Sequence, residues 1–356
     1  MNGGSQNGKI KVLVVDDSVL IARTISRILE SDGTIEVIGR ARDGIQALEM
    51  IEDLKPDVVT LDVEMPKMDG ITALKHIMVK HSTPTVMISA LAREGSRTSF
   101  ECLKYGAIDV IAKPSRKETE SLAEQEAEIL AKVRRAATIR TGRFKYVRVT
   151  GAEPADPSAA TGPADEATRF IGITAGTGGY YTLLRIVPML TSDFQEVIVA
   201  ALVVSSRYVD PFATYLQAHC AIPVKVVNPD EALEKGVVYL AAAADRPVAR
   251  SDGLNGLRVG LEGNSDHTGT EEAINDFLKS IAATVRGRAV GVIMTGSGSH
   301  GAAGIVEIRR SGGLGVIQDI NNCVDPSMPL AALEKGTVEK ILPDYQMAEF
   351  FMNLPD

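Results

Sequence analysis

Short apolar runs alternate with helical stripes along the first third of the chain. IKVLVV is followed by Ile21, Ile25, Ile28 and Leu29 at helical spacing, then IEVIG, then Ile45, Leu48 and Ile51. VVTLD, the Ile71, Leu74 and Ile77 stripe, TVMIS, a helix through Phe100 to Tyr105, AIDVIA and a charged segment from Glu118 to Arg135 continue the alternation. Strands alternating with helices of this length predict a parallel sheet covered on both faces, because each parallel crossover needs a helix. The pattern therefore predicts a doubly wound α/β domain over residues 9–137. Periodicity then fades through GAEPADPSAATGPADEAT, read as part of an interdomain linker over 138–168. From Arg169 the α/β pattern resumes with FIGITA, VIVAALVV, PVKVV, VVYLAAA, LRVGL, AVGVIMT and LGVIQD. Residues 169–356 are thus a second α/β domain of the same doubly wound, parallel-sheet class.

Composition narrows the function classes. A chain of 356 residues has room for two cores. Its formal charge of -8 and pI near 5.3 oppose an electrostatic grip on nucleic acid. The loose basic run through Lys132, Arg134, Arg135, Arg140, Arg143, Lys145 and Arg148 reads as a solvated helix end and linker. No run approaches the ~20 apolar residues of a membrane helix, and the polar first residues lack a secretory signal, so no membrane insertion and no export are expected. Cys102, Cys220 and Cys323 are widely spaced, with no CxxC pair. A cytoplasmic location is expected.

In an open parallel sheet, ligand groups gather beyond the carboxyl ends of the strands. Here those ends carry Asp16 and Asp17 after the first strand, Asp62 after the third, Ser89 after the fourth and Lys113 after the fifth. Three converging carboxylates repel one another unless a cation neutralises them, and a hard divalent ion such as Mg²⁺ suits oxygen donors. Such an ion would bridge Asp62 to an incoming phosphoryl group, with Lys113 offsetting charge and Ser89 hydrogen-bonding a phosphoryl oxygen. Asp62 is the expected nucleophile and phosphoacceptor.

These residues sit in VLVVDDS, LDVEMPKMDG, MISA and AIDVIAKP, and over residues 9–137 the sequence resembles the receiver domain of two-component response regulators. The resemblance implies a flavodoxin-like fold and phosphate received from a histidine kinase. It implies a metal held by Asp17, Asp62, Asp16 through water and the backbone carbonyl of Glu64. It also implies a switch in which Ser89 moves toward the phosphoryl group while an aromatic residue three positions before the lysine changes rotamer. That position is Val110 here, so the usual aromatic readout is missing.

Two glycine turns mark the second domain. Gly172–Gly179 leaves a strand and enters a helix, and its N–H groups, those of Thr177 and Gly178 in particular, suit an oxyanion. GSGSHG, from Gly296 to Gly301, follows AVGVIMT and matches a dinucleotide-binding glycine pattern, a weak signal so late in the domain. IGITAGTGG, FATYL, IPVKVV, GSGSHGAAGI and QDINNCVDPSMPLAALEKG together resemble the catalytic domain of chemotaxis receptor methylesterases, the CheB type, which follows a receiver in that family. The resemblance implies hydrolysis of glutamyl methyl esters, or deamidation of glutamine, by a serine, histidine and aspartate triad. Carried over by position, the serine falls on Gly176, the histidine nearest to Ser206 and the aspartate on His300. All three differ. The expectation is a response regulator of a chemotaxis-type pathway, phosphorylated on Asp62 by a histidine kinase, whose second domain binds without hydrolysing; chemoreceptor tails or another methylesterase are the expected partners. The alternative is an active methylesterase or deamidase in which Ser206 and His300, brought side by side, form a rearranged site.

Overall fold

The computed structural model describes residues 8–89, 96–114, 122–139, 162–165, 167–252, 256–263 and 269–355, which divide into two compact units, Met1–Tyr146 and Val147–Asp356. In the first, strands and helices alternate: β1 (Ile10–Val15), α1 (Val19–Glu30), β2 (Ile35–Ala41), α2 (Gly44–Leu54), β3 (Val58–Leu61), α3 (Gly70–Lys80), β4 (Thr85–Ser89), α4 (Arg97–Lys104), β5 (Asp109–Ala112) and α5 (Leu122–Thr138). The parallel sheet has the order β2-β1-β3-β4-β5, so the chain reverses direction across the sheet between β1 and β3. Side chains on both faces of β1 and β3 are buried, the reason these strands read as unbroken apolar runs.

The helices start where the sequence places a small polar residue. Ser18, Asp43, Asp69 and Ser96 each accept the N–H of the residue three positions on, which satisfies one orphan donor of a helix start. Of the α2 stripe, Ile51 is buried and Leu48 partly buried, but Ile45 is 45% exposed, because the buried face of the helix runs through Gly44, Ala47 and Ile51 and Ile45 lies to one side of it. Asp43 is 4% exposed; the N–H of Gln46, then the Lys67 ammonium 2.7 Å away, holds its carboxyl below the usual range. A carboxylate with a lowered folded pKa stabilises above the ordinary value, and that stability is lost as pH falls through the lowered one. Asp43→Ala should lower stability by about 1 kcal/mol near neutral pH, and the gap to wild type should close in acid, as read by urea denaturation.

The second unit contains β6 (Phe170–Ala175), α6 (Gly179–Ile186), β7 (Val197–Leu202), α7 (Val209–Gln217), β8 (Val224–Val226), β9 (Glu231–Ala232), β10 (Val238–Ala242), β11 (Pro247–Ser251), β12 (Leu257–Leu261), α8 (Thr270–Val285), β13 (Ala289–Ile293), α9 (Ala302–Arg310), β14 (Leu314–Gln318), α10 (Ser327–Glu334), β15 (Lys340–Leu342) and α11 (Asp344–Met352). Its main sheet runs β15-β14-β13-β6-β7-β10-β8, all pairs parallel. LRVGL does not join it. As β12 it pairs antiparallel with β11 and β9 in a separate three-stranded sheet. Of the segment read as linker, 140–161 lies outside the described residues, as do four of the basic positions, Arg140, Arg143, Lys145 and Arg148. Pro163 and Asp165 form isolated bridges with Glu234 and Gly256, and Ala164 is buried, so this stretch packs on the second unit. Among the described residues no helix is long and apolar enough to cross a membrane.

Candidate functional site

The reversal between β1 and β3 opens the crevice that holds the acidic cluster. Asp16 and Asp17 follow β1, Asp62 follows β3, and an oxygen of each lies within 4.8 Å of the others. Main-chain bonds fix these positions: the Asp16 N–H donates to Ala41 at 3.1 Å and the Asp62 N–H to Val15 at 3.0 Å. Asp62 Oδ1 accepts the Val63 N–H at 2.7 Å, and Asp16 Oδ1 accepts the Ser18 N–H at 2.9 Å. The loop after Asp62 turns back so tightly that a Cβ on Gly70 would lie 1.8 Å from the Asp62 carbonyl oxygen, which explains the glycine in Asp69-Gly70.

Lys113, just after β5, reaches into the cluster. Its Nζ is 2.7 Å from Asp62 Oδ2 and 2.8 Å from Asp16 Oδ2, while its own N–H donates to the carbonyl of Ser89. Burial works against this ammonium, yet its bonds to Asp16 and Asp62 prevail and hold its pKa above the ordinary lysine value. Burial raises the Asp16 carboxyl, with Lys113 pulling the other way and the charge of Asp62 adding to the rise. Asp16 Oδ2 meets Lys113 only as an ion pair and has no hydrogen-bond partner. Three carboxylates face one ammonium in this cluster, and Asp16 Oδ2 is held there by charge rather than by an aligned hydrogen bond. That donor set suits a hard divalent cation. Ser89 is 1% exposed at the end of β4, and Glu64 is exposed beyond Asp62. An open groove of about 680 Å³ on this side is lined by Asp17, Glu64, Met65 and Thr98, among others.

In the second unit the chain reverses between β13 and β6, and the two glycine turns extend these adjacent strands. They pack against each other. The Gly176 N–H donates to Thr295 at 2.9 Å, and a Cβ on Gly176 would lie 3.1 Å from the Cα of Gly296. Gly178 has φ +83, and a Cβ there would meet Val324 at 2.5 Å, so this turn requires glycine on two counts. Thr295 ties the turns together: its hydroxyl donates to the Thr177 carbonyl at 2.8 Å, and its N–H donates to Gln318 Oε1 at 2.9 Å. The Gly296 N–H is already committed to the Asp325 carbonyl, which counts against a pyrophosphate cradle.

The pairing of Ser206 with His300 that the alternative reading requires is not formed. Ser206 Oγ donates to Asp245 Oδ1 at 2.6 Å, and His300 Nδ1 is buried without a hydrogen-bond partner. Among the described residues no hydrogen bond joins the two. The physical reason is that Ser206 opens a short 3-10 turn on the β7 side, whereas His300 packs over Gly298, 3.2 Å from where its Cβ would be. The residue held beside the first glycine turn is Val203, whose N–H donates to Ala175 at 2.9 Å. Asp245, Thr295 and Gln318 were not singled out from sequence. Thr295 had a signal, as the polar end of an apolar strand just before a glycine turn; Asp245, distant along the chain from Ser206, had none.

Compared with known proteins, residues 171–351 match the family model described as CheB methylesterase, and residues 12–123 match that of the response regulator receiver domain. A Pyrococcus horikoshii protein named protein-glutamate methylesterase/protein-glutamine glutaminase is 37% identical over 94% of this chain and 90% of its own length. A protein of the same name from Caldanaerobacter subterraneus subsp. tengcongensis is 34% identical over 97% of this chain and 96% of its own. The crystal structure of the Thermotoga maritima CheB methylesterase catalytic domain, 24% identical, aligns with a TM-score of 0.50, covering 53% of this chain and 99% of that domain, a likeness of fold.

Proposed function

The chain belongs to the CheB methylesterase family and carries a response regulator receiver domain ahead of the methylesterase domain, and from that premise we propose that it is a chemotaxis response regulator phosphorylated on Asp62. A histidine kinase supplies the phosphoryl group. The carboxylate of Asp62 attacks phosphorus, the histidine nitrogen leaves, and an acyl phosphate results. Lys113, already 2.7 Å from Asp62 Oδ2, pairs with the transferred charge, and the Ser89 hydroxyl takes a phosphoryl oxygen. Asp16, Asp17, Asp62 and the Glu64 carbonyl are the groups that would hold Mg²⁺, which neutralises the charge accumulating on the phosphoryl oxygens when bound. The observation that carries this reading is the triple carboxylate cluster closed by Lys113.

For the second domain the relatives' names favour hydrolysis of glutamyl methyl esters or glutamine side chains, the alternative drawn from sequence, over binding alone. The residues favour binding. Gly176 has no side chain to attack with, Ser206 is bonded to a carboxylate rather than to an imidazole, and His300 Nδ1 has no group to orient it. The reading we adopt is a domain that engages chemoreceptor glutamyl segments, or another methylesterase, without hydrolysis. Methanol release from methylated receptors tests it, with an active relative as control; turnover that disappears on Ser206→Ala or His300→Ala would establish the hydrolytic reading instead.

A further inference from the structure

Lys132 takes no part in the acidic cluster, yet it is bound to the strand that carries Lys113. Its ammonium lies on α5, with the side chain only 12% exposed, 2.8 Å from Glu128 Oε1 and 3.1 Å from Asp109 Oδ1. It also donates to the main-chain oxygen of Val110 at 3.0 Å. Asp109 Oδ1 in turn accepts the Val110 N–H at 2.8 Å, which closes a knot of charge-assisted bonds around the start of β5. Ordering a long lysine side chain costs rotamer freedom, so three partners at this distance mark a held group rather than a solvated one.

The strand it grips is short and mechanically exposed. β5 is the outermost strand of its sheet and pairs on one side only, with β4. It spans Asp109–Ala112, and the next residue is Lys113. One strand of roughly 13 Å is therefore held at its start by Lys132 and at its end by Asp16 and Asp62. Of the other residues that α5 buries, Ile129, Val133 and Ala136 are apolar and pack without direction, and Gln125 is polar. Lys132 provides a directional link from α5 to β5.

We propose that Lys132 conveys the phosphorylation state of Asp62 to α5, an inference that rests on Asp62 being the phosphoacceptor. A phosphoryl group on Asp62 places new negative oxygens beside Lys113, whose ammonium re-pairs with them. The carboxyl end of β5 follows its lysine, and the bonds from Asp109 and Val110 to Lys132 pass that displacement to the helix. Lys132 is thus a positioning residue that acts through β5.

The test is hydrogen exchange of α5 amides in the full chain, with and without beryllofluoride and Mg²⁺, alongside acyl phosphate formation from acetyl phosphate. In the wild type, beryllofluoride should slow exchange in α5 by at least about threefold. Lys132→Met should accept phosphate at the wild-type rate, within about twofold, and lose the response in α5, whereas Asp109→Asn should show a partial response. Lys132→Gln serves in place of methionine if that variant fails to fold. An α5 that responds equally in the Lys132 variant overturns the proposal, as does an unresponsive α5 in a wild type that forms the acyl phosphate. A wild type that forms no acyl phosphate removes the Asp62 reading, and this inference with it.

Discussion

Asp62→Asn should abolish acyl phosphate formation, lowering its rate by at least roughly a thousandfold, because the change removes the nucleophile itself. The amide is nearly isosteric, so the main-chain bonds that fix position 62, from its N–H to Val15 and from Val63 to its side-chain oxygen, have counterparts in the variant. The change also takes one of three carboxylates from the cluster, which weakens the pull on a divalent cation, and it leaves Lys113 paired with Asp16 alone. The intact-protein mass after incubation with acetyl phosphate and Mg²⁺ should show one added phosphoryl group in the wild type and none in the variant. The same added mass on both would show that another residue accepts the phosphate.

The second large effect is expected far from the acidic cluster. Arg185 on α6 and Asp344 at the start of α11 form a buried pair, 3.0 Å apart, with side chains 8% and 1% exposed. Arg185 also donates to the Tyr181 hydroxyl at 2.8 Å. Arg185→Met keeps much of the volume and strands a buried carboxylate, so the second unit should lose about 3–5 kcal/mol. Burial raises the Asp344 carboxyl above the usual range, the guanidinium opposing it. An acid whose folded pKa exceeds its unfolded one costs stability while charged, and that cost is relieved as pH falls through the raised value toward the ordinary one. Without Arg185 the raised value climbs further. The deficit of the variant should therefore be largest at about pH 7 and shrink by about pH 5, read from urea denaturation of the second unit. An equal deficit at both values would place the loss in packing rather than in the stranded charge.

How far the fold was legible depended on how local its signals are. The receiver half announces itself because both-faces-buried strands produce unbroken apolar runs, and because each helix from α1 to α4 opens on Ser or Asp. Its acids were legible for a related reason: each follows directly on a strand, so the strand pattern alone puts Asp16, Asp17, Asp62 and Lys113 at one end of one sheet. The three-stranded antiparallel sheet was not legible. β9 has two residues, PVARS lacks a clean alternation, and LRVGL reads like any buried strand. In the second unit the glycine turns were found, but what holds them was not. The bond of Ser206 to Asp245 and the tie from Thr295 to Thr177 link residues far apart in sequence, and whether Ser206 meets His300 depends on a loop path that periodicity does not encode.

The proposed function joins a phosphorylation-competent receiver to a methylesterase-type domain that binds without hydrolysing. Methanol release from methylated chemoreceptor membranes tests it most directly, run with and without acetyl phosphate and Mg²⁺ beside an active family member. Release is expected from the control alone, while the intact mass of this chain shows one added phosphoryl group in the same reaction. Methanol release by this chain above the receptor-only background would contradict it and would make Ser206 and His300 the next positions to change.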